Sequence, residues 1–180
     1  MEESGNNLII NKKKIGILGG SFDPAHKGHL AISKEAYKKL KLDKIIWAIT
    51  KKNPFKKKCI SSLPTRIKNS KKIIGNNKYI KIKFYEDIIK SNRSFNLINY
   101  LSKNKKNEIF FLMGADNIIN FHKWHKWEKI SEKCNIIVFD RQGYKKKCLN
   151  SITFRRLNKK NLKFIKFNKV NISSSQLRKI

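Results

Sequence analysis

Cysteine, acidic residues and long apolar runs are scarce in this chain. The three cysteines (Cys59, Cys134, Cys148) are odd in number, far apart and part of no ligand pattern, which argues against a disulfide framework or a zinc knuckle. No run of about 18 apolar residues exists, so no membrane span is expected. Residues 1–13 are polar and then basic, without the apolar stretch of roughly 7–15 residues that a signal peptide needs. They read as a disordered lead, residues 14–180 read as one domain, and the expected location is the cytoplasm. An apolar content of 39% over 180 residues is enough to bury a core.

Acid is outnumbered: 12 Asp+Glu face 43 Lys+Arg, a formal charge of +31. Lysines close to phosphates release counterions, so nucleic-acid binding is one reading. The other is compositional drift, because Lys, Asn and Ile are abundant together, as an AT-rich genome produces. The lysines are spread along the chain and do not gather with aromatics on one element, which favours drift, and no specific nucleic acid is expected as a partner. The positive field still attracts anionic small molecules.

The apolar residues that are present alternate between strand-like and helix-like spacing. Strands are expected at residues 14–18, 45–49, 79–85, 108–113, 135–139 and 162–167. Helices are expected at residues 29–42, 63–74, 95–103 and 118–133, with a further helix start at 173–180. Pro64 falls in the first turn of its helix, where a missing N–H costs nothing. Stacked βαβ units imply a doubly wound parallel sheet in a three-layer α/β/α sandwich, a single domain without repeats. In such sheets ligands bind beyond the carboxyl ends of the strands, where strand order reverses.

One such end carries Gly19-Gly20-Ser21-Phe22-Asp23-Pro24-Ala25-His26-Lys27-Gly28-His29. The glycines allow a sharp turn and close approach to a ligand, and Gly28 removes bulk beside the two histidines. The helix start behind them supplies unpaired N–H groups for a phosphate. His26 and His29, three apart, project to one side. A histidine pair at this spacing is otherwise a capping, core or zinc arrangement, and the glycines favour phosphate.

This string resembles the H-x-G-H signature of the nucleotidyltransferase superfamily, and its longer form resembles the nicotinate-nucleotide adenylyltransferase branch. Gly114-Ala115-Asp116 through Phe121, Trp124 and Trp127 is similar to that branch's G-x-D…F-x-x-W stretch. Ile172-Ser173-Ser174-Ser175-Gln176-Leu177-Arg178 is similar to its I-S-S-[ST]-x-x-R stretch, and Asn53-Pro54-Phe55-Lys56 to its N-P-x-K loop. The likeness runs from Ile15 to Arg178 and implies a Rossmann-like fold.

The resemblance implies that AMP passes from ATP to nicotinate mononucleotide, with Mg²⁺ carried by ATP, no protein metal site and no tightly bound cofactor. It casts His26, His29 and Arg178 as catalytic. ATP would contact Gly19, Gly20, Ser21, Phe22, Gly28, Gly114, Asp116, Ile172, Ser173 and Ser174 besides these. The mononucleotide would meet Ser21, Phe22, Asn53, Lys56, Ser94, Trp124, His125 and Arg141, with Trp124 stacking on the pyridine ring. A second copy of the chain is a candidate partner.

Three departures from the family pattern stand out. The usual Y-T-x-x-T-L reads Arg93-Ser94-Phe95-Asn96-Leu97-Ile98, His125 replaces a common Tyr, and the chain stops just past the last motif. Phosphopantetheine adenylyltransferase, or another nucleotidyltransferase with the H-x-G-H signature such as a cytidylyltransferase, is the alternative within the superfamily, although His26 stands where the first usually has Thr. A basic RNA-binding protein on the same scaffold is the alternative of another class.

Overall fold

The computed structural model describes residues 11–53, 59–140, 143–157 and 159–167. The elements follow in the order β1 (Lys13–Gly20), α1 (Lys27–Leu40), β2 (Lys44–Ile49), α2 (Leu63–Ile74), β3 (Ile80–Phe84), α3 (Glu86–Ile89), α4 (Ser94–Ser102) and β4 (Asn107–Gly114). Then come α5 (Ala115–Ile119), a 3₁₀ turn (Phe121–Lys123), α6 (Trp127–Lys133), β5 (Asn135–Phe139), α7 (Lys145–Leu149), α8 (Ile152–Arg156), a second 3₁₀ turn (Lys159–Asn161) and β6 (Leu162–Ile165). All five strand pairings are parallel, and the sheet order is β3-β2-β1-β4-β5-β6. The order reverses between β1 and β4, which opens the crevice that doubly wound sheets use for ligands.

The central strands read as unbroken apolar runs because both sheet faces are covered. Ile15, Ile17, Ile46, Ala48, Ile109, Phe111, Met113, Ile136 and Val138 pack on one face with Ile98, Ile118 and Ile130 from the helices. Leu18, Ile45, Trp47, Ile49, Phe110, Leu112, Ile137 and Phe139 pack on the other with Ala36, Leu40 and Ile74. Trp47 is fully buried, and its indole N–H donates to the Ser33 hydroxyl at 2.8 Å, so the ring adds apolar area without leaving an orphan donor. Ser62 caps α2 by accepting from the Thr65 amide, and Pro64 sits in the first turn as expected.

Two expectations need correction. The single helix over residues 118–133 is divided into α5, a 3₁₀ turn and α6, with Trp124 extended and Lys126 left-handed at φ 51°. Phe121 and Ile130 explain the break, because both are fully buried against the same sheet face. Nine residues apart, at about 100° each, they would lie on opposite sides of one continuous helix. The short helices α3, α7 and α8, of 4, 5 and 5 residues, were not expected; none is long enough to show a helical period. The expected helix start at residues 173–180 lies outside the described residues.

Candidate active site

Gly19 and Gly20 stay in β1, paired with Ala48 and Ile49 of β2, so they do not make the expected sharp turn. The turn falls on Phe22, whose φ is 49°. A left-handed residue with a side chain costs about 1–2 kcal/mol. Phe22 offsets this by burying its ring (1% exposed) against Trp47, with ring centroids 4.9 Å apart and planes 15° from parallel. The two glycines instead leave the strand end bare of side chains, and both line the two cavities described below.

His26 is the N-cap of α1, and His29 lies one turn in. The Gly28 amide donates to Nδ1 of His26 at 3.1 Å, and the His26 amide donates to Nδ1 of His29 at 3.2 Å. Capping and phosphate binding are therefore compatible roles. With Nδ1 of each ring accepting from the backbone, the proton of the neutral imidazole sits on Nε2. The ring centroids are 3.8 Å apart, and the His29 ring also rests on Phe22 at 4.8 Å. Packing thus holds both imidazoles in one orientation, toward a cavity of about 150 Å³ that His26, Gly28 and His29 line.

Asp116 lines the same cavity from the first turn of α5. It is not the N-cap of that helix, which is Gly114. A Cβ on Gly114 would stand 2.5 Å from Oδ1 of Asp116. The Gly114 backbone (φ −78°, ψ 158°) accepts any residue, so Gly114→Ala would mainly turn the Asp116 carboxylate aside. If Asp116 contacts ATP as the resemblance implies, Gly114→Ala should keep its thermal midpoint within a few degrees of the parent while KM for ATP rises about two- to tenfold, the scale of one lost hydrogen bond. Steady-state kinetics beside a melting curve checks this; a midpoint collapse with unchanged KM would contradict it.

A larger cavity of about 500 Å³ adjoins the first and shares Gly19, Gly20, Asn53, Phe111 and Trp124 with it. Trp124 is half-buried, braced by Phe121 at 5.1 Å and Phe111 at 6.3 Å, and lines both cavities. Ser94 and His125 line the larger cavity, beside Arg93 and Lys123, which the motif reading did not single out. Partial desolvation, then the charges of Arg93 and Lys126, lower the pKa of His125 below its ordinary value. Glu86 accepts from the Thr50 hydroxyl and, at 3.0 Å, from the Lys51 amide, which ties β2's exit to α3. Asn117 and Asp140, beyond the ends of β4 and β5, also line the smaller cavity. The rule that ligands bind past carboxyl strand ends was the one signal that could have found them.

The structure thus gathers His26, His29, Gly28, Gly114, Asp116, Ser21 and Phe22 at the smaller cavity, Ser94 and His125 at the larger, and Asn53 and Trp124 at both. Lys56, Arg141 and the Ile172, Ser173, Ser174, Arg178 group lie outside the described residues. Among the described residues no group of three or more His, Cys, Asp or Glu could hold a metal ion, and no helix is long and apolar enough to cross a membrane.

The cytidylyltransferase-like family model matches residues 17–180. The chain is 64% identical over 180 residues, 100% of both chains, to a Pelagibacter ubique protein named "Probable nicotinate-nucleotide adenylyltransferase". It is 39% identical over 147 residues, 81% of this chain and 80% of the other, to an Aliarcobacter butzleri protein of the same name. Its fold is similar to that of Plasmodium falciparum nicotinic acid mononucleotide adenylyltransferase complexed with NaAD, with TM-score 0.78, 22% identity, and coverage of 93% of this chain and 83% of that one. The family match and these relatives make the chain a nucleotidyltransferase built on a doubly wound parallel sheet, with a paired-histidine helix start at its switch point. The chain belongs to the cytidylyltransferase-like family and, within it, to the nicotinate-nucleotide adenylyltransferases.

Proposed function

We propose that the protein transfers the adenylyl group of ATP to nicotinate mononucleotide, forming nicotinate adenine dinucleotide and pyrophosphate. The observation that carries this reading is the junction of two cavities over bare strand-end glycines, which lets two nucleotides meet end to end. The smaller cavity, with two imidazoles and a helix start, suits the ATP phosphates. The larger, with an aromatic edge and basic rim, suits a pyridine ring bearing a carboxylate.

A phosphate oxygen of the mononucleotide attacks the α-phosphorus in line. The bond to the α–β bridging oxygen breaks, and pyrophosphate leaves with that electron pair. No covalent enzyme intermediate is required, so the protein's contribution is alignment and charge stabilisation. In this reading the His29 and His26 Nε2–H groups donate to phosphate oxygens as negative charge builds. Main-chain groups of Ser21 and Phe22 line the phosphates, and Asp116 accepts from the ribose hydroxyls. Ile172, Ser173, Ser174 and Arg178 would hold the β- and γ-phosphates, a role that rests on their sequence motif. Mg²⁺ enters as part of the ATP substrate, coordinated mainly by phosphate oxygens and water. The cytoplasm, where ATP is plentiful, is the location we infer.

The test is to supply purified protein with ATP, Mg²⁺ and each of three acceptors in turn: nicotinate mononucleotide, its amide, and phosphopantetheine. Pyrophosphate release is expected with the first. Release with phosphopantetheine alone would overturn the reading.

A further inference from the structure

Arg66, at the start of α2, is 3% exposed in a chain whose basic residues are mostly surface lysines. Its guanidinium makes four hydrogen bonds, all to main-chain carbonyls. Nε donates to Ser61 at 3.1 Å, Nη1 to Ser21 at 2.6 Å and Thr50 at 2.8 Å, and Nη2 to Lys51 at 3.2 Å. These carbonyls belong to three separate segments: the loop after β1, the exit of β2, and the entry to α2. Asp23 grips the third from the other side, accepting from the Ile60 amide at 2.7 Å and the Ser61 amide at 3.2 Å. Burial raises the Asp23 pKa, but these amides, the Ser61 hydroxyl and the charge of Arg66 outweigh it and hold the carboxyl below its ordinary value.

Two of the three segments joined by Arg66 carry the site. Ser21 lies five residues before His26, and Thr50 three residues before Asn53, which lines both cavities. Burying a guanidinium costs several kcal/mol before its hydrogen bonds offset it, and apolar side chains of similar volume serve a core as well or better. A planar fork with five diverging N–H groups is, by contrast, suited to fixing the spacing of separate backbone strands; a lysine's single nitrogen is not.

We propose that Arg66 is a positioning residue for adenylyl transfer: its buried fork sets the spacing between the phosphate loop and the exit of β2, and through them between the two substrate pockets. This rests on the adenylyltransferase reading. Arg66 touches no substrate; it acts through the Ser21, Thr50 and Lys51 carbonyls.

The full-length protein and its Arg66→Lys and Arg66→Met variants provide the test, with parent turnover of ATP and nicotinate mononucleotide as reference. Arg66→Lys retains the charge and should bind each nucleotide alone within about threefold of the parent by calorimetry. Its kcat, divided by the folded fraction, should fall on the order of 10- to 100-fold, as small misplacements of reacting groups do. Arg66→Met should lose at least as much. A parental kcat in Arg66→Lys, equal losses in binding and kcat, or failure of Arg66→Lys to fold would each overturn the positioning role. An inactive parent would overturn the functional reading and the positioning role together, whereas an active parent with an unaffected variant removes the positioning role alone.

Discussion

His29→Ala is expected to lower kcat by on the order of 10²–10³, the loss seen when one preorganised donor to a developing charge is removed. The capping geometry gives this prediction a control. Nδ1 of His29 accepts from the His26 amide, so alanine removes a cap contact as well as the Nε2 donor. A lost cap costs stability, about 0.5–2 kcal/mol, and by itself should not slow the chemical step of folded protein. His29→Asn separates the two roles, because its side-chain oxygen can replace Nδ1 as acceptor while its shorter amide does not reach the position of Nε2–H. Asparagine should restore most of the thermal midpoint lost in the alanine variant and leave kcat as low. Binding of the mononucleotide alone should change little in either. Ordinary turnover in His29→Ala, or recovery of turnover in His29→Asn, would remove the catalytic assignment and leave His29 a cap.

The second large effect is selectivity for the acid over the amide mononucleotide, expected at roughly ten- to a hundredfold in kcat/KM. A carboxylate only accepts hydrogen bonds and so suits a lining rich in donors, whereas an amide NH₂ facing donors is left unmet. The larger cavity places Ser94, Arg93, Lys123 and His125 along one lining, and Arg93 and Lys123 add positive charge that a carboxylate neutralises and an amide does not. Partial desolvation, then the charges of Arg93 and Lys126, hold the pKa of His125 below its ordinary value, which favours the neutral ring. The ratio should therefore stay flat from about pH 7 to 8.5 and rise only below about pH 6.5, the ordinary histidine value, as His125 gains a proton. In His125→Phe the acidic rise should vanish. Trp124→Ala should weaken both acceptors alike, since stacking does not sense the ring substituent. Specificity constants for the two mononucleotides across this range decide the matter; a ratio near one, or one favouring the amide, would mean the acceptor site reads something other than charge.

Much of the candidate site is legible in the sequence. The glycine-histidine string names its own position, after a strand and at a helix start, because those residue types have few other reasons to occur together. The Gly114-Asp116 stretch is legible for the same reason. Arg93 and Lys123 are two basic residues among 43. Their relevance comes from which surface they share, which no local pattern encodes. Arg66 was hidden in the same way: nothing in its neighbourhood distinguishes a buried arginine on an amphipathic helix from a solvated one.

By itself the sequence determined the parallel α/β class. Apolar runs such as Ile45–Ile49, flanked by helical spacing, fit only a sheet covered on both faces. It also supplied the candidate residues of the loop after β1, since glycines and paired histidines at a helix start suit a phosphate. Tertiary structure decided the rest. It made Phe22, not a glycine, the turning residue, because a buried stack on Trp47 outweighs the cost of a left-handed backbone. It broke the helix before Trp127, because Phe121 and Ile130 must reach one face. It also joined two cavities around Trp124 and Asn53, and a junction of that kind depends on packing between segments distant in sequence.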